Sequence, residues 1–160
     1  MELKEQLTGV PGMLRPFKAY LREAGLNEGD QVVYYGCPGT CTPFIELLGF
    51  AVRDLPLEQV YVPYADEAAA KAIRPVKGVG MQVSGDAVRV DPKVIVLMGG
   101  LSMPGVPVEK EAVQAAVTAH PGAKVVGICF MQMFEKMGWL DTFDFDLIID
   151  AAIDPVKVWQ

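Results

Sequence analysis

VIVLM, at residues 94–98, is the stretch that decides the fold, because it is apolar at every position. A strand with one solvated face alternates apolar and polar residues, whereas a strand covered on both faces reads as a continuous apolar run. The sequence therefore predicts that 94–98 is a central strand of a largely parallel sheet. Gly99 and Gly100 follow it directly and begin a glycine-rich loop at the end of this strand, which agrees with a crevice there.

Further apolar runs alternate with amphipathic stretches on both sides of this strand. Strands are predicted at 32–35, 60–64, 125–130 and 147–149, and helices at 14–24, 44–53, 66–73, 108–120 and 132–137. This alternation indicates an α/β fold, a three-layer sandwich with a mostly parallel sheet between helices. The flavodoxin-like (Rossmann-like) order 2-1-3-4-5 is favoured, because it centres 94–98 and leaves the proline-containing strand 60–64 at an edge.

Two further features complete the predicted architecture. The run MQVSGDAVRV at 81–90 alternates around Ser84-Gly85-Asp86 and predicts a β-hairpin inserted before the central strand. A chain of 160 residues with 51% hydrophobic residues can bury a core as one domain, so residues 1–160 are predicted to form a single unit.

Charge and composition argue against several classes of partner. The net charge is -6 and no basic stripe interrupts it, so nucleic acid is not an expected partner. An acidic surface suits anionic membranes poorly, and no apolar run approaches the ~20 residues of a membrane span. The N-terminus lacks the apolar segment of a secretory signal, and three cysteines without one read as reduced thiols. We therefore expect a cytoplasmic protein.

A candidate site lies where YGCPGTCTPF, residues 35–44, joins the first strand to the next helix. In the favoured order, the crevice lies above the carboxyl ends of the first and third strands. The loops 36–42 and 99–105 are therefore predicted to bind a small-molecule ligand, and an anion is one alternative because helix starts offer free N–H groups. The predicted ligand-binding residues are Gly36, Cys37, Gly39, Thr40, Thr42, Gly99, Gly100, Ser102 and Cys129.

The sequence leaves open whether the protein is an enzyme. Cys41 comes just before Thr42, the predicted N-cap, where a positive helix end lowers a thiol pKa, so Cys41 is the candidate nucleophile and Cys37 its redox or ligand partner. Glu46, one turn further on, is a candidate general base if it points back at the crevice. His120 is predicted at the opposite edge of the sheet, away from Cys41. The cofactor is unknown, because the loop has neither a dinucleotide nor a Walker pattern.

Other interpretations stay open. Three cysteines near one sheet edge are compatible with a thiolate metal or iron–sulfur site. The CxxxC spacing and a separation of roughly 9–10 Å across two strands argue against it, so no metal ligand is assigned. A non-catalytic homo-oligomeric protein that dimerises through the hairpin at 81–90 is a second alternative. The glycines can also simply serve a tight turn above packed cysteines. Five methionines near the crevice suit either a flat apolar ligand or core filling: Met98, Met103, Met131, Met133 and Met137.

Five motifs carry a resemblance to known proteins. They are CTPFIELL at 41–48, VLMGGLSMP at 96–104, GICFM at 127–131, FEKMGW at 134–139 and FDLIID at 145–150. On these the chain resembles a small family of uncharacterised proteins from methanogenic archaea, a domain of unknown function of about this length. The resemblance implies an archaeal cytoplasm, which favours the ligand and cluster interpretations. It implies no reaction and no residue role.

Overall fold

The computed structural model describes residues 2–160, which form an α/β fold around one seven-stranded mixed sheet. The helices are α1 (Gly9–Glu23), α2 (Thr42–Ala51), α3 (Lys110–Thr118) and α4 (Met133–Lys136), with 3-10 turns at Glu67–Ala69 and Gly99–Ser102. The strands are β1 (Gln31–Gly36), β2 (Glu58–Pro63), β3 (Lys71–Val76), β4 (Gly80–Ala87), β5 (Pro92–Met98), β6 (Lys124–Phe130) and β7 (Leu147–Ala151). Their order in the sheet is β4-β3-β2-β1-β5-β6-β7.

The parallel part of the sheet has the predicted order. Strands β2, β1, β5, β6 and β7 are parallel neighbours, which is 2-1-3-4-5 when the predicted main strands are counted along the chain. Val96 of β5 lies level with Tyr34 of β1 on one side and with Val126 of β6 on the other. All three residues are fully buried, as the apolar run at 94–98 requires.

The prediction that β2 forms the edge of the sheet is wrong. Strand β3 pairs antiparallel with β2, through Ala72 beside Val60, and β4 pairs with β3 beyond it. The helix predicted at 66–73 is also wrong, since only Glu67–Ala69 forms a 3-10 turn, which the Asp66 carboxylate caps at the N–H of Ala68. Pairing with β2 outweighs the helix propensity of the alanines here.

The inserted hairpin exists, but its turn lies earlier than predicted. The chain reverses at 77–79 between β3 and β4, where Gly78 and Gly80 have φ of 76° and 127°. These left-handed values favour glycine, so the turn is specified by the pair of glycines. Ser84-Gly85-Asp86, predicted as the turn, lies within β4.

Helices contact both faces of the sheet. Phe17 of α1 packs on Tyr34 with ring centroids 6.2 Å apart. Side chains alternate along a strand, so Tyr35 faces the opposite side, where its hydroxyl donates to Glu67. On that opposite side Phe134 of α4 fills the space left by Gly127. Within residues 2–160, no helix combines the length and the apolar character needed to cross a membrane.

Candidate functional site

A cavity of about 220 Å³ lies above the carboxyl ends of β1, β5 and β6. It is lined by Thr40, Cys41, Phe44, Met98, Gly99, Gly100, Met103, Phe130, Met131 and Met133. Four of the predicted site residues, from both predicted loops, are among them. The lining contains no charged side chain, and thioether and aromatic groups make up most of it.

Sequence reasoning missed the aromatic part of this lining. Phe44 and Phe130 pack against each other with ring centroids 4.6 Å apart. Phe44 lies in the first turn of α2 and Phe130 is the last residue of β6, so both stand at the carboxyl edge of the sheet. This position could have identified them from the sequence, because the neighbouring methionines were predicted near the crevice for the same reason.

The two loop cysteines are held side by side by one turn of backbone. The N–H of Cys41 donates to the carbonyl of Cys37 at 3.0 Å, which closes an i to i+4 turn between β1 and α2. Cys41 is the N-cap of α2, so the prediction of Thr42 at that position is one residue late. Both sulfurs border the position that a Cβ of Gly100 would take, so the two thiols are neighbours.

The loop uses its own N–H groups internally. The Thr40 N–H donates to the carbonyl of Pro38 at 3.0 Å, and the Gly39 N–H donates to Oγ1 of Thr42 at 3.2 Å. With the Cys41 N–H also bonded, these loop amides are not free to hold an anion. Gly39 and Thr42 therefore shape the turn and lie outside the cavity lining.

Gly99 and Gly100 separate the loop cysteines from the third cysteine. A Cβ at Gly99 would lie 2.5 Å from the Cβ of Cys129 and 2.9 Å from its Cα. A Cβ at Gly100 would overlap the Cys41 sulfur and lie 3.7 Å from the Cys37 sulfur. Only glycine fits at either position without displacing a cysteine.

Cys41 is buried, yet its sulfur has several hydrogen-bond donors. Burial raises the pKa of the Cys41 thiol above its usual value, while the N–H groups of Cys37 and Gly100 and the Cys37 thiol act in the opposite direction. The net direction is upward, so the lowered pKa predicted from the helix end is wrong. Burial also raises the pKa of Cys37 to about 12, with the neighbouring Cys41 as a further cause. Removal from water outweighs the helix end here.

Cys129 lies outside the cavity lining and faces a carboxylate. Its thiol donates to Oδ1 of Asp150 at 3.2 Å, and the Gln132 N–H donates to the same oxygen at 2.9 Å. Burial raises the pKa of Cys129 to about 12, and the Asp150 carboxylate contributes to the increase. The backbone N–H groups of Phe134 and Met133 lower this pKa, but by less than burial raises it.

The remaining predicted residues have structural contacts. The Gly36 carbonyl accepts from the Tyr61 hydroxyl at 3.2 Å, and a Cβ there would lie 2.8 Å from the Cβ of Cys41. The buried Ser102 hydroxyl donates to the carbonyl of Gly99 at 2.8 Å, within the 3-10 turn. Neither residue lines the cavity.

Glu46 does not point back at the crevice, which was the condition for its role as a candidate general base. Its carboxylate accepts from the Val83 N–H at 3.0 Å and from Nε2 of Gln82 at 3.1 Å. Glu46 therefore ties α2 to β4, because the side of the helix that carries it faces the hairpin. No contact directs it to Cys41.

His120 belongs to a separate polar cluster that the sequence did not reveal. Its Nε2 lies 2.9 Å from Oε1 of Glu67, and the Tyr35 hydroxyl donates to the same oxygen at 2.6 Å. Since Tyr35 faces away from α2, this cluster joins the loop after β2 to the end of α3. His120 is not part of the cavity lining.

The arrangement of potential metal ligands gives no cluster of three. Across residues 2–160, no group of three or more histidine, cysteine, aspartate or glutamate side chains is placed to hold one ion. Cys129 lies beside Gly99, whereas Cys37 and Cys41 lie beside Gly100.

Comparison with protein families identifies relatives of the whole fold. Residues 8–154 match the model of a family described as an uncharacterized protein conserved in archaea, DUF2124. The chain belongs to the DUF2124 family. This confirms the resemblance to an uncharacterised archaeal family that the motifs indicated.

DUF2124 relatives cover nearly the full length of the chain. The uncharacterized protein MJ1183 of Methanocaldococcus jannaschii is 35% identical over 155 residues, which are 96% of this chain and 91% of the relative. An uncharacterized protein of Methanothermobacter thermautotrophicus is 33% identical over 156 residues, which are 96% of each chain. The crystal structure of a protein of unknown function from M. thermautotrophicus superimposes with a TM-score of 0.88 at 31% identity, covering 100% of this chain and 99% of the other.

Proposed function

We propose that the protein binds a small, flat, apolar ligand in the cavity between α2 and the loop after β5. The observation that carries this proposal is the composition of the lining, in which four methionines and two phenylalanines surround about 220 Å³. A cavity of ~150 Å³ with an apolar lining accepts a benzene-sized molecule. Thioether side chains adapt to the outline of such a ligand.

The position of the cavity supports the same proposal. It lies above β1 and β5, where the order of the sheet reverses, which is the usual ligand position in Rossmann-like and flavodoxin-like folds. An anionic ligand fits less well, because the amides of Gly39, Thr40 and Cys41 are used within the loop. The polar side chains in the lining are those of Thr40 and Cys41.

Methyl NMR of methionine-labelled protein tests this proposal. We expect a neutral two-ring probe, 1,2-di(4-pyridyl)ethane, to shift the methyl signals of Met98, Met103, Met131 and Met133, which line the cavity. The signals of Met13 and Met81, which are buried elsewhere in the core, are internal controls. Equal shifts in both groups, or none in either, would show that the cavity is not the binding site.

A matched pair of substitutions checks the location. Met103 is 43% exposed at the cavity rim and Met137 is 39% exposed outside it. Met103→Trp is expected to fill the opening and weaken probe binding about fivefold or more, since one lost methylene contact alone is worth about 1 kcal/mol. Met137→Trp is expected to leave binding unchanged. Equal effects of the two substitutions would contradict the proposal.

A second candidate function is homodimerisation through the hairpin. Strand β4 ends the sheet, so one side of it presents unpaired backbone groups that a second copy can pair with. Val76 and Val79 near the turn are 44% and 67% exposed, beside Phe50 at 43%. Sedimentation of Val79→Asp against the unaltered chain tests it: a dimer that becomes a monomer supports the candidate, and an unaltered chain that is already monomeric removes it.

A further inference from the structure

We infer that Cys37 and Cys41 form a reactive dithiol that reduces small apolar disulfides at the floor of the cavity. This inference rests on the proposed function, because the substrate enters through the same cavity. It adds a reaction class, thiol–disulfide exchange, and assigns a different role to each cysteine.

The two sulfurs are placed to join. One turn of backbone closed by the Cys41 N–H separates the residues, so their Cα atoms lie about 6 Å apart, within the range that a disulfide spans. Both sulfurs lie beside the position that a Cβ of Gly100 would take, with the Cys37 sulfur 3.7 Å from it and the Cys41 sulfur closer still. A side chain at position 100 would occupy the space that the Cys41 sulfur uses.

The roles of the two cysteines differ because only one faces the cavity. Cys41 contributes to the lining, whereas Cys37 lies behind it. The Cys41 sulfur receives the N–H groups of Cys37 and Gly100 and the thiol of Cys37, and these donors stabilise a negative charge on it. Cys41 is therefore the attacking thiol, and Cys37 is the resolving thiol.

The exchange balances with the disulfide substrate as the oxidant. The Cys41 thiolate attacks one substrate sulfur, a Cys41–substrate disulfide forms, and the other half leaves as a thiolate that takes up the proton lost by Cys41. Cys37, losing its proton, then attacks the Cys41 sulfur and releases the second half as a thiol. The substrate gains two electrons and becomes two thiols, while Cys37 and Cys41 become one disulfide.

The lining selects the class of disulfide. It has aromatic and thioether groups and lacks any charged side chain, so charged substituents would lose hydration without gaining a partner. The substrate class is thus a small disulfide with neutral, apolar or aromatic substituents. Because burial raises the thiol pKa at Cys41, the exchange accelerates as the pH rises above neutrality.

The test uses two chromogenic disulfides and a Cys129→Ser chain, which removes the third thiol. With 4,4′-dithiodipyridine we expect two thiopyridones per chain, and a protein mass lower by two hydrogens from the Cys37–Cys41 disulfide. The doubly charged 5,5′-dithiobis(2-nitrobenzoate) is expected to react at a rate at least about tenfold lower. Equal rates for the two reagents would overturn the assigned substrate class.

Single substitutions in the same background test the assigned roles. Cys37→Ser is expected to release one thiopyridone and retain a mixed disulfide on Cys41. Cys41→Ser is expected to react about a hundredfold more slowly, since the remaining thiol lies behind the cavity wall. A Cys41→Ser chain that reacts as fast as Cys37→Ser would overturn the order of attack.

The carbon analogue 1,2-di(4-pyridyl)ethane separates this inference from the proposed function. If the analogue binds at the lining methionines and no Cys37–Cys41 disulfide forms, the exchange is wrong and the binding cavity stands. If the disulfide forms without any analogue binding, the proposed cavity is wrong, and the inference fails with it.

Discussion

Cys41 and Cys129 have similar surroundings, and the difference between them shows what determines the chemistry of a buried thiol. They lie on either side of Gly99 and Gly100, both almost fully buried, and each sulfur receives two backbone N–H groups. Cys41 has a second thiol as its neighbour and faces a cavity, whereas Cys129 donates to the Asp150 carboxylate outside the cavity lining. Burial therefore does not distinguish a candidate reactive thiol from a structural one. The group beside the sulfur, a thiol or a carboxylate, and access to the cavity do.

Substitution of Gly99, in the glycine pair between the two thiols, should cause the largest loss of stability. Gly99→Ala would press a Cβ against the Cα of Cys129, which is backbone and cannot rotate away, so we expect a loss of about 3 kcal/mol in the free energy of unfolding. Urea denaturation measures it. Gly100→Ala should cost less, since it meets the Cys41 sulfur, a side-chain atom.

Gly85→Ala is the control for this pair, because Gly85 has open space at its Cβ position. We expect its free energy of unfolding to stay close to that of the unaltered chain. A Gly99→Ala chain as stable as Gly85→Ala would show that the two sides of the pair are not closely packed.

Alkaline pH should destabilise the fold through the thiols on both sides of the pair. Burial raises the pKa of Cys37 and of Cys129 from 9.0 to about 12, so the folded chain holds these protons more tightly than the unfolded chain. This contribution is complete below pH 9 and is lost as the pH rises towards 12. Between pH 8 and pH 10 we expect the free energy of unfolding to fall by about 2 kcal/mol.

Urea denaturation at the two pH values checks the effect, and a Cys37→Ser/Cys129→Ser chain is the control. It should lose clearly less stability over the same interval. The same loss in both chains would assign the alkaline effect to other groups.

Removing the carboxylate should make Cys129 more like Cys41. In Asp150→Asn, the charge that raises the pKa of Cys129 is gone, so its thiol should be alkylated faster at pH 8. The altered bonds to Cys129 and to the Gln132 N–H should cost about 1 kcal/mol of stability.

A Cys37→Ser/Cys41→Ser background isolates this thiol, and iodoacetamide labelling followed by mass spectrometry measures its rate. Asp144→Asn, which alters an exposed carboxylate nearby in the chain, is the control. An unchanged rate in Asp150→Asn would mean that the carboxylate does not restrain Cys129.

Substitution of Glu46 has the smallest expected effect. It lies on the helix that begins next to Cys41 but binds β4, so Glu46→Gln should cost about 1 kcal/mol by weakening its bonds to Val83 and Gln82. The rate at which dithiodipyridine reacts should stay unchanged. A slower reaction without loss of stability would restore Glu46 as a general base; Glu23→Gln, at an exposed position of α1, is the control.

The sequence predicted the region of the site better than its atomic detail. The strand order followed from the burial of 94–98, and that order places the loops after β1 and β5 together, as observed. The sequence left open whether the amides of loop 36–42 bind an anion, because the internal bonds of Gly39 and Thr40 depend on the turn geometry. The direction in which the Glu46 side chain points depends on the position of β4. The sequence predicted the turn of the hairpin at 84–86, whereas the chain reverses at 77–79.

By itself the sequence determined the α/β class, the order of the parallel strands and the family, because apolar periodicity and motif content are properties of the chain alone. The tertiary structure decided that β3 and β4 extend the sheet beyond β2, since the alanine-rich segment before them gains more from strand pairing than from a helix. It also decided the chemistry assigned to each thiol. The sequence singled out Cys41 with Cys37 as its partner, but only the packing around Gly99 and Gly100 places Cys41 beside a cavity and Cys129 beside a carboxylate.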